Sequence, residues 1–215
     1  MGQPLPLSTQ PRLEVAKLGQ FNLRLALHAR RVLGENVEDH RVAIQRGTAE
    51  ELFEVALLRG PVTAALLGIE TDAFGDPGLL VNEVLPSDAP RADKIGIVPH
   101  HTLADDPELL DLVASDSAYV LIDPRDPAEQ VCAAIASCAH VFASSLHGLI
   151  TADAYGVAHT WVAPEGQGRL KFHDYAASVG RSMRAPLAVS DIANAPKPDA
   201  PLSYEDGINA CRAAL

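Results

Sequence analysis

Three short groups of residues carry side chains that can hold an anion and move a proton near neutral pH. The first is Ser144-Ser145-Leu146-His147-Gly148, a small polar turn between an apolar run and a helical pattern. A strand that feeds a helix through such a turn creates an anion site. Ser145 can act as N-cap, and the first amide groups of the helix point outward with the positive end of its dipole. His147 stands on the rim, where a proton can move near pH 7. Gly148, lacking a side chain, lets a ligand or a neighbouring backbone come close. The second and third groups are Pro99-His100-His101 and Asp123-Pro124-Arg125, and Lys171, beside His173 and Asp174, adds charge in a loop that follows.

The elements around these groups decide whether they meet. Apolar runs at 95–98, 119–122, 140–143 and 159–162 read as strands. Between them, Asp106 with Pro107 at the first turn opens one helix, and Asp126-Pro127-Ala128-Glu129 opens another as a capping box. Val131, Ile135 and Cys138 mark the buried stripe of the second, and a third helix runs from Leu149 until Gly156 closes it. Strands continuous in apolar residues and separated by single helices predict an α/β fold with a Rossmann-like parallel sheet, flanking helices and right-handed crossovers. Ligands of such sheets sit beyond the carboxyl ends of the strands, where all three polar groups fall. His40, His140 and His159 read instead as satisfied surface or core groups.

Elsewhere the pattern is plainer. A helix is expected from Phe21 to near Gly34, and Thr48-Ala49-Glu50-Glu51 forms a capping box. Pro61 fits the first turn of a short helix ended by Gly68, and Phe74-Gly75-Asp76-Pro77-Gly78 is a turn cluster. Gly166 and Gly168 break the sheet rhythm before a helix around Tyr175, and an extended proline-rich connector precedes a last helix from about Tyr204. The expected organisation is a reduced, mostly helical segment over 1–60, a Rossmann-like domain over 61–190, and a connector with a helix over 191–215.

The 215 residues are 47% hydrophobic and 21% charged, the balance of a soluble globular protein. A formal net charge of −11 argues against nucleic acid as partner, because a phosphate backbone would be repelled. A small anion needs only a local cluster of donors. Cys132, Cys138 and Cys211 lack metal-ligand spacing, and Cys132 and Cys138 read as reduced core residues of a helix. Adjacent His100 and His101 have no Cys or acid at ligand spacing, so no metal and no cofactor is expected. With neither a signal-type N-terminus nor a membrane-spanning run, the expected compartment is the cytoplasm, with peripheral attachment to the inner membrane as a variant.

In order, Arg59-Gly60-Pro61-Val62-Thr63, Gly75-Asp76-Pro77, 94–101, Ile122-Asp123-Pro124, Ser144 to Gly148 and Lys171-Phe172-His173-Asp174-Tyr175 resemble the polysaccharide pyruvyl transferase family, over roughly residues 55 to 180. The resemblance implies the C-terminal half of a two-Rossmann-domain (GT-B-like) glycosyltransferase architecture. It also implies transfer of a pyruvyl group from phosphoenolpyruvate to two sugar hydroxyls of a polysaccharide or its lipid-linked precursor, giving a cyclic pyruvate ketal. On this reading His147 contacts phosphate or transfers a proton. Ser144, Ser145, Leu146 and Gly148 form the anion turn, and Arg59 and Lys171 add anion contacts. His100 or His101 serves the carboxylate or the acceptor.

Family members have a complete Rossmann-like domain before the Arg-Gly-Pro element, whereas fewer than 60 residues precede Arg59. A reduced first domain or a longer parent chain is therefore expected, with a homo-oligomer or a partner subunit completing the cleft. Two other functions stay open. One is a glycosyltransferase using a nucleotide sugar, with Asp123 reading the ribose. The other is a non-catalytic half-enzyme or binding module in polysaccharide synthesis.

Overall fold

A computed structural model describes residues 57–88, 90–163, 168–181, 185–197 and 205–214. The expected helix from Phe21, the capping box at Thr48 and most of the 1–60 segment lie outside these residues, as does Gly166.

Among the described residues, four strands form one parallel sheet: β1 (Ala92–Val98), β2 (Tyr119–Leu121), β3 (Cys138–Ala143) and β4 (Ala158–Trp161), in the order β2-β1-β3-β4. Ile97 pairs with Leu121 on one side and Phe142 on the other, and Phe142 pairs in turn with Thr160. The apolar runs are continuous because both faces of the sheet are covered, so successive side chains enter different cores. Val98, Val141 and Ala143 pack with α4 (Ala128–Ala136) and α5 (Leu146–Ala154). Ile97, Phe142 and Tyr119 pack with Leu109 of α3 (Pro107–Ser115) and with Ile192 of the short 3-10 helix Val189–Asn194. The sheet is Rossmann-like, as its strand and helix rhythm predicts.

The strand order has a direct consequence for function. From β1 the chain steps to β2 on one side and then returns to β3 on the other. The connections after β1 and β3 therefore part in opposite directions and leave a crevice between the carboxyl ends of these two strands.

A smaller parallel pairing stands upstream. Leu58 bridges Phe74, with α1 (Pro61–Leu67) between them. Pro61 starts that helix, and Gly68 ends it at φ 68°, a left-handed conformation that glycine adopts without strain. Asp76 then caps the 3-10 helix Pro77–Leu80 by accepting from Gly78 N at 2.9 Å, and the short α2 (Val81–Val84) follows it. Leu57 and Leu79 join the core beneath α5, and the last helix, α7 (Glu205–Ala214), places buried Cys211 in the same core.

Four local expectations are corrected. Cys138 opens β3 instead of closing the stripe of α4, since Ser137 already ends that helix. Asp126 does not cap α4: Pro127 holds the N-cap position without a side-chain bond, and Arg125 and Asp126 lie in the turn before it. Val162 leaves the ladder after Trp161 and bridges Leu187. The helix expected around Tyr175 begins earlier, as α6 (Leu170–Ser178), so Lys171 is helical. The cysteines are free and buried, and burial pushes the Cys138 thiol up to about 11, in keeping with its reading as a reduced core residue.

One buried polar network joins α5, β4 and α6. Asp153 accepts from Tyr175 Oη at 2.7 Å and from Arg181 at 3.3 Å, and lies 2.7 Å from His159 Nε2. This gives His159 the satisfied core role expected of it. Burial, together with the Asp153 carboxylate, pushes the Tyr175 hydroxyl well above its ordinary value, so it donates. Removing one member of a buried charged network strands the others. Asp153→Ala is predicted to lower the unfolding free energy by about 3–5 kcal/mol in denaturant titrations, and a loss below about 1 kcal/mol would show that the network is not holding these elements together.

Candidate functional site

The ends of β1 and β3 are tied together at the switch point, where the Ser144 amide donates to Val98 O at 3.1 Å. Ser144, buried at the end of β3, accepts from the backbone N–H of His100 at 2.8 Å, so the two strand ends are locked side by side. Beyond β3, Ser145 takes an extended conformation and caps α5, accepting from Gly148 N at 3.4 Å. The first intrahelical bond of α5 runs from Leu149 N to Ser145 O, so the amides of Leu146 and His147 precede the ladder, at the positive end of the helix. The Leu146 side chain itself is buried in the core.

Gly148 is required by packing. A Cβ there would stand 2.8 Å from Val98 Cγ1 and 3.3 Å from Ala143 Cβ, so α5 rests directly on the sheet. The close neighbour that the bare glycine admits is thus the side chain of Val98. Above it, Val98, Pro124, Val131, Ile135, Ser145, His147, Gly148 and Thr151 line a cleft with about 300 Å³ of empty space, part of it open to solvent.

His147 is also where the remaining charges meet. Burial lowers its pKa, the carboxylate of Asp76 opposes that change, and the positive charges of Arg59 and Lys171 add to it. Lys171 is itself pulled down, by burial first and then by Arg59. Arg59 and Asp76 follow directly on the bridged residues Leu58 and Phe74-Gly75, which explains their proximity: Arg59 Nε lies 3.7 Å from Asp76 Oδ2.

On the β1 side, the rings of His100 and His101 stand 4.1 Å apart, and His100 Nδ1 lies 2.9 Å from Thr102 Oγ1. Burial, then the charges of His101 and Lys171, lower the pKa of His100 to about 4. Lys171 therefore faces both histidine groups. Arg125 pairs with both Asp123 and Asp105, at 2.6 Å for each ion pair. No group of three or more His, Cys, Asp or Glu able to hold a metal occurs among the described residues.

The arrangement is a half-buried cluster of cationic and proton-carrying groups around one helix N-terminus. Such a site suits a small ligand with more than one negative charge. Comparison with known proteins gives this chemistry a family. The profile of the family described as polysaccharide pyruvyl transferase matches residues 49–166, more than half of the chain. The chain belongs to the polysaccharide pyruvyl transferase family.

This pyruvyl transferase family chain is 30% identical over 145 residues to the succinoglycan biosynthesis protein ExoV of Rhizobium meliloti (strain 1021). That match covers 63% of this chain and 45% of ExoV. It is 28% identical over 169 residues to an uncharacterized protein of Acanthamoeba polyphaga mimivirus, covering 68% of this chain and 58% of that protein. The chain thus spans about half the length of the curated relatives it matches. No solved structure matches it significantly.

Within this family member, the structure brings together His147, Arg59, Lys171, His100, His101 and the Ser144–Ser145 turn, all of which the sequence singles out. It adds Asp76, whose carboxylate faces both Arg59 and His147. The signal for Asp76 is present in the sequence as Gly75-Asp76-Pro77, yet that tripeptide reads equally as loop punctuation. His100 also yields a test. Between about 4 and its ordinary 6.5 the folded state holds fewer protons at His100 than the unfolded state, so its contribution to stability rises with pH across that window and is lost as pH falls. His100→Gln is predicted to lose less stability than the parent between pH 6.5 and 5; denaturant midpoints at the two pH values that fall in parallel would exclude this.

Proposed function

We propose that the chain binds phosphoenolpyruvate at the β1–β3 crevice and transfers its pyruvyl group to two hydroxyls of a sugar in a polysaccharide or its lipid-linked precursor, forming a pyruvate ketal. The carrying observation is the convergence of Arg59, Lys171 and His147 at the N-terminus of α5, with His100 and His101 across the switch point. Phosphoenolpyruvate bears a phosphate and a carboxylate, and two neighbouring cationic groups suit them. The phosphate is assigned to the Ser145–His147 turn with Arg59 and Lys171. The carboxylate or the acceptor hydroxyl is assigned to His100 or His101. Residues 61–190 act as the donor domain, resembling half of a GT-B-like architecture, and the chain works in the cytoplasm.

In this reaction the methylene carbon takes a proton, and positive character builds on the neighbouring carbon. One sugar oxygen attacks there and releases its proton. The carbon–oxygen bond to phosphate then breaks, inorganic phosphate leaves, and the second sugar oxygen closes the ketal with loss of another proton. Burial and the neighbouring cations keep His147 neutral near pH 7 in the free protein. A bound dianion reverses that balance, so His147 can take a proton when the donor arrives and supply it for transfer.

The nucleotide-sugar alternative loses support because the Asp123 carboxylate is held by Arg125. In the half-enzyme alternative, donor binding would persist without transfer. A ligand that binds only the folded state adds about 2.7 kcal/mol at 100 times its dissociation constant. Thermal unfolding with phosphoenolpyruvate is therefore expected to show a clear stabilisation, larger than with phosphate, pyruvate or a nucleotide diphosphate, and absent in His147→Ala. Equal stabilisation of parent and variant would refute the assignment of His147. A ketal product, sought with sugar acceptors, separates enzyme from half-enzyme.

A further inference from the structure

Bringing Arg59 and Lys171 to the same histidine is opposed by their mutual repulsion, and something must hold them there. Arg59 lies in the turn before α1, and Lys171 lies in the first turn of α6. The contact between these elements is made by Asp174, one turn after Lys171. Its Oδ1 accepts from the amides of Val62 at 2.8 Å and Thr63 at 3.2 Å, and its Oδ2 accepts from Thr63 Oγ1. Asp174 is thus the cap of α1, supplied from a residue more than a hundred positions away, because Gly60 at the N-cap position has no side chain to do it. Gly60 is glycine for the same reason: a Cβ there would overlap the backbone carbonyl and Oδ1 of Asp174. The carboxylate is buried, and its oxygens accept from both first-turn amides and the hydroxyl.

We infer that Asp174 is a positioning residue that clamps the Arg59-Gly60-Pro61 turn onto α6 and so sets Arg59 against Lys171 and His147. The inference deepens the phosphoenolpyruvate reading and rests on it for the ligand, while the geometry it concerns is a property of the free protein. Asp174 touches no ligand on this reading. It acts through Arg59, and its removal should matter only as far as Arg59 moves.

That distinction makes the inference testable in two ways. Among the described residues, the charged groups that act on His147 are Asp76 before the 77–80 turn, Arg59 before α1 and Lys171 on α6. Arg59 disfavours the protonated histidine, so its loss or displacement raises the His147 titration midpoint. Histidine-selective NMR titration of the parent, Arg59→Met, Asp174→Ala and Asp174→Asn is the first measurement. Arg59→Met and Asp174→Ala should both move the His147 midpoint upward. Asp174→Asn, which keeps the oxygen that caps α1, should stay near the parent. Should Asp174→Ala not fold, Thr63→Val, which removes one of the three bonds, should move the midpoint in the same direction by less. An unchanged midpoint in folded Asp174→Ala, or in Thr63→Val if that is the variant that folds, overturns the inference, as does an Arg59→Met variant that leaves His147 unmoved.

The second measurement is a double-mutant cycle on phosphoenolpyruvate affinity. Each single variant should weaken binding roughly 10-fold or more, and Asp174→Ala should add little in the Arg59→Met background, since residues acting as one unit are not additive. Fully additive losses would reduce Asp174 to a fold-stabilising residue and overturn the inference. A parent that does not bind phosphoenolpyruvate fails the functional reading alone, and the NMR titration then decides the role of Asp174.

Discussion

The structure depends on concentrating positive charge at one half-buried place before any ligand arrives. Arg59 disfavours the charged forms of Lys171 and His147, Lys171 does the same to His147, and burial adds to the cost. What offsets it is distributed. Asp76 faces Arg59 and His147, and Asp174 clamps the turn that carries Arg59 onto the helix that carries Lys171. The Asp153 network ties that same helix to α5, which carries His147. Asp174 of α6 thus holds the turn that carries Arg59, and Asp153 of α5 holds the helix that carries Lys171. On the proposed reading, an incoming anion relieves the repulsion among these cations.

Topology decides where this can happen. The chain leaves β1 and β3 in opposite directions, and the crevice between their ends receives the backbone amides that precede the ladder of α5. The Ser144 to His100 bond fixes the width of the crevice, and the bare Gly148 lets α5 sit low on Val98, so that His147 emerges at its rim. The short Leu58–Phe74 pairing then delivers Arg59 and Asp76 to the same rim from a separate small layer.

Much of this is legible in the sequence where the signal is local. The four strands, the N-caps at Asp106 and Ser145 and the convergence of His100 and His147 follow from apolar periodicity and from the rule that ligands meet strand carboxyl ends. The turn from helix to strand around Ser137 is less legible, because Cys138 continues the apolar spacing of α4 and nothing in its type marks the break. The roles of Asp153 and Asp174 are not legible at all. Asp153 is an acid within a helical pattern and Asp174 one in a charged loop, and both would pass for solvated residues. Only packing brings Asp174 to Thr63 and Asp153 to Tyr175 and His159. Gly148 shows the same limit. It suggests close approach, and only the structure names Val98 as the neighbour, as it alone names Asp174 for Gly60.

Membership of the polysaccharide pyruvyl transferase family and a cationic crevice at the switch point lead to one central claim, that the donor is held between His147 and His100. Histidine-selective NMR during titration with phosphoenolpyruvate tests it most directly. The account predicts saturable shifts of His147, accompanied by His100 or His101, with protonation of His147 on binding and little change at His140 and His159 in the core. Shifts confined to His140, His159 or His173, or saturation with His147 unmoved, would contradict it.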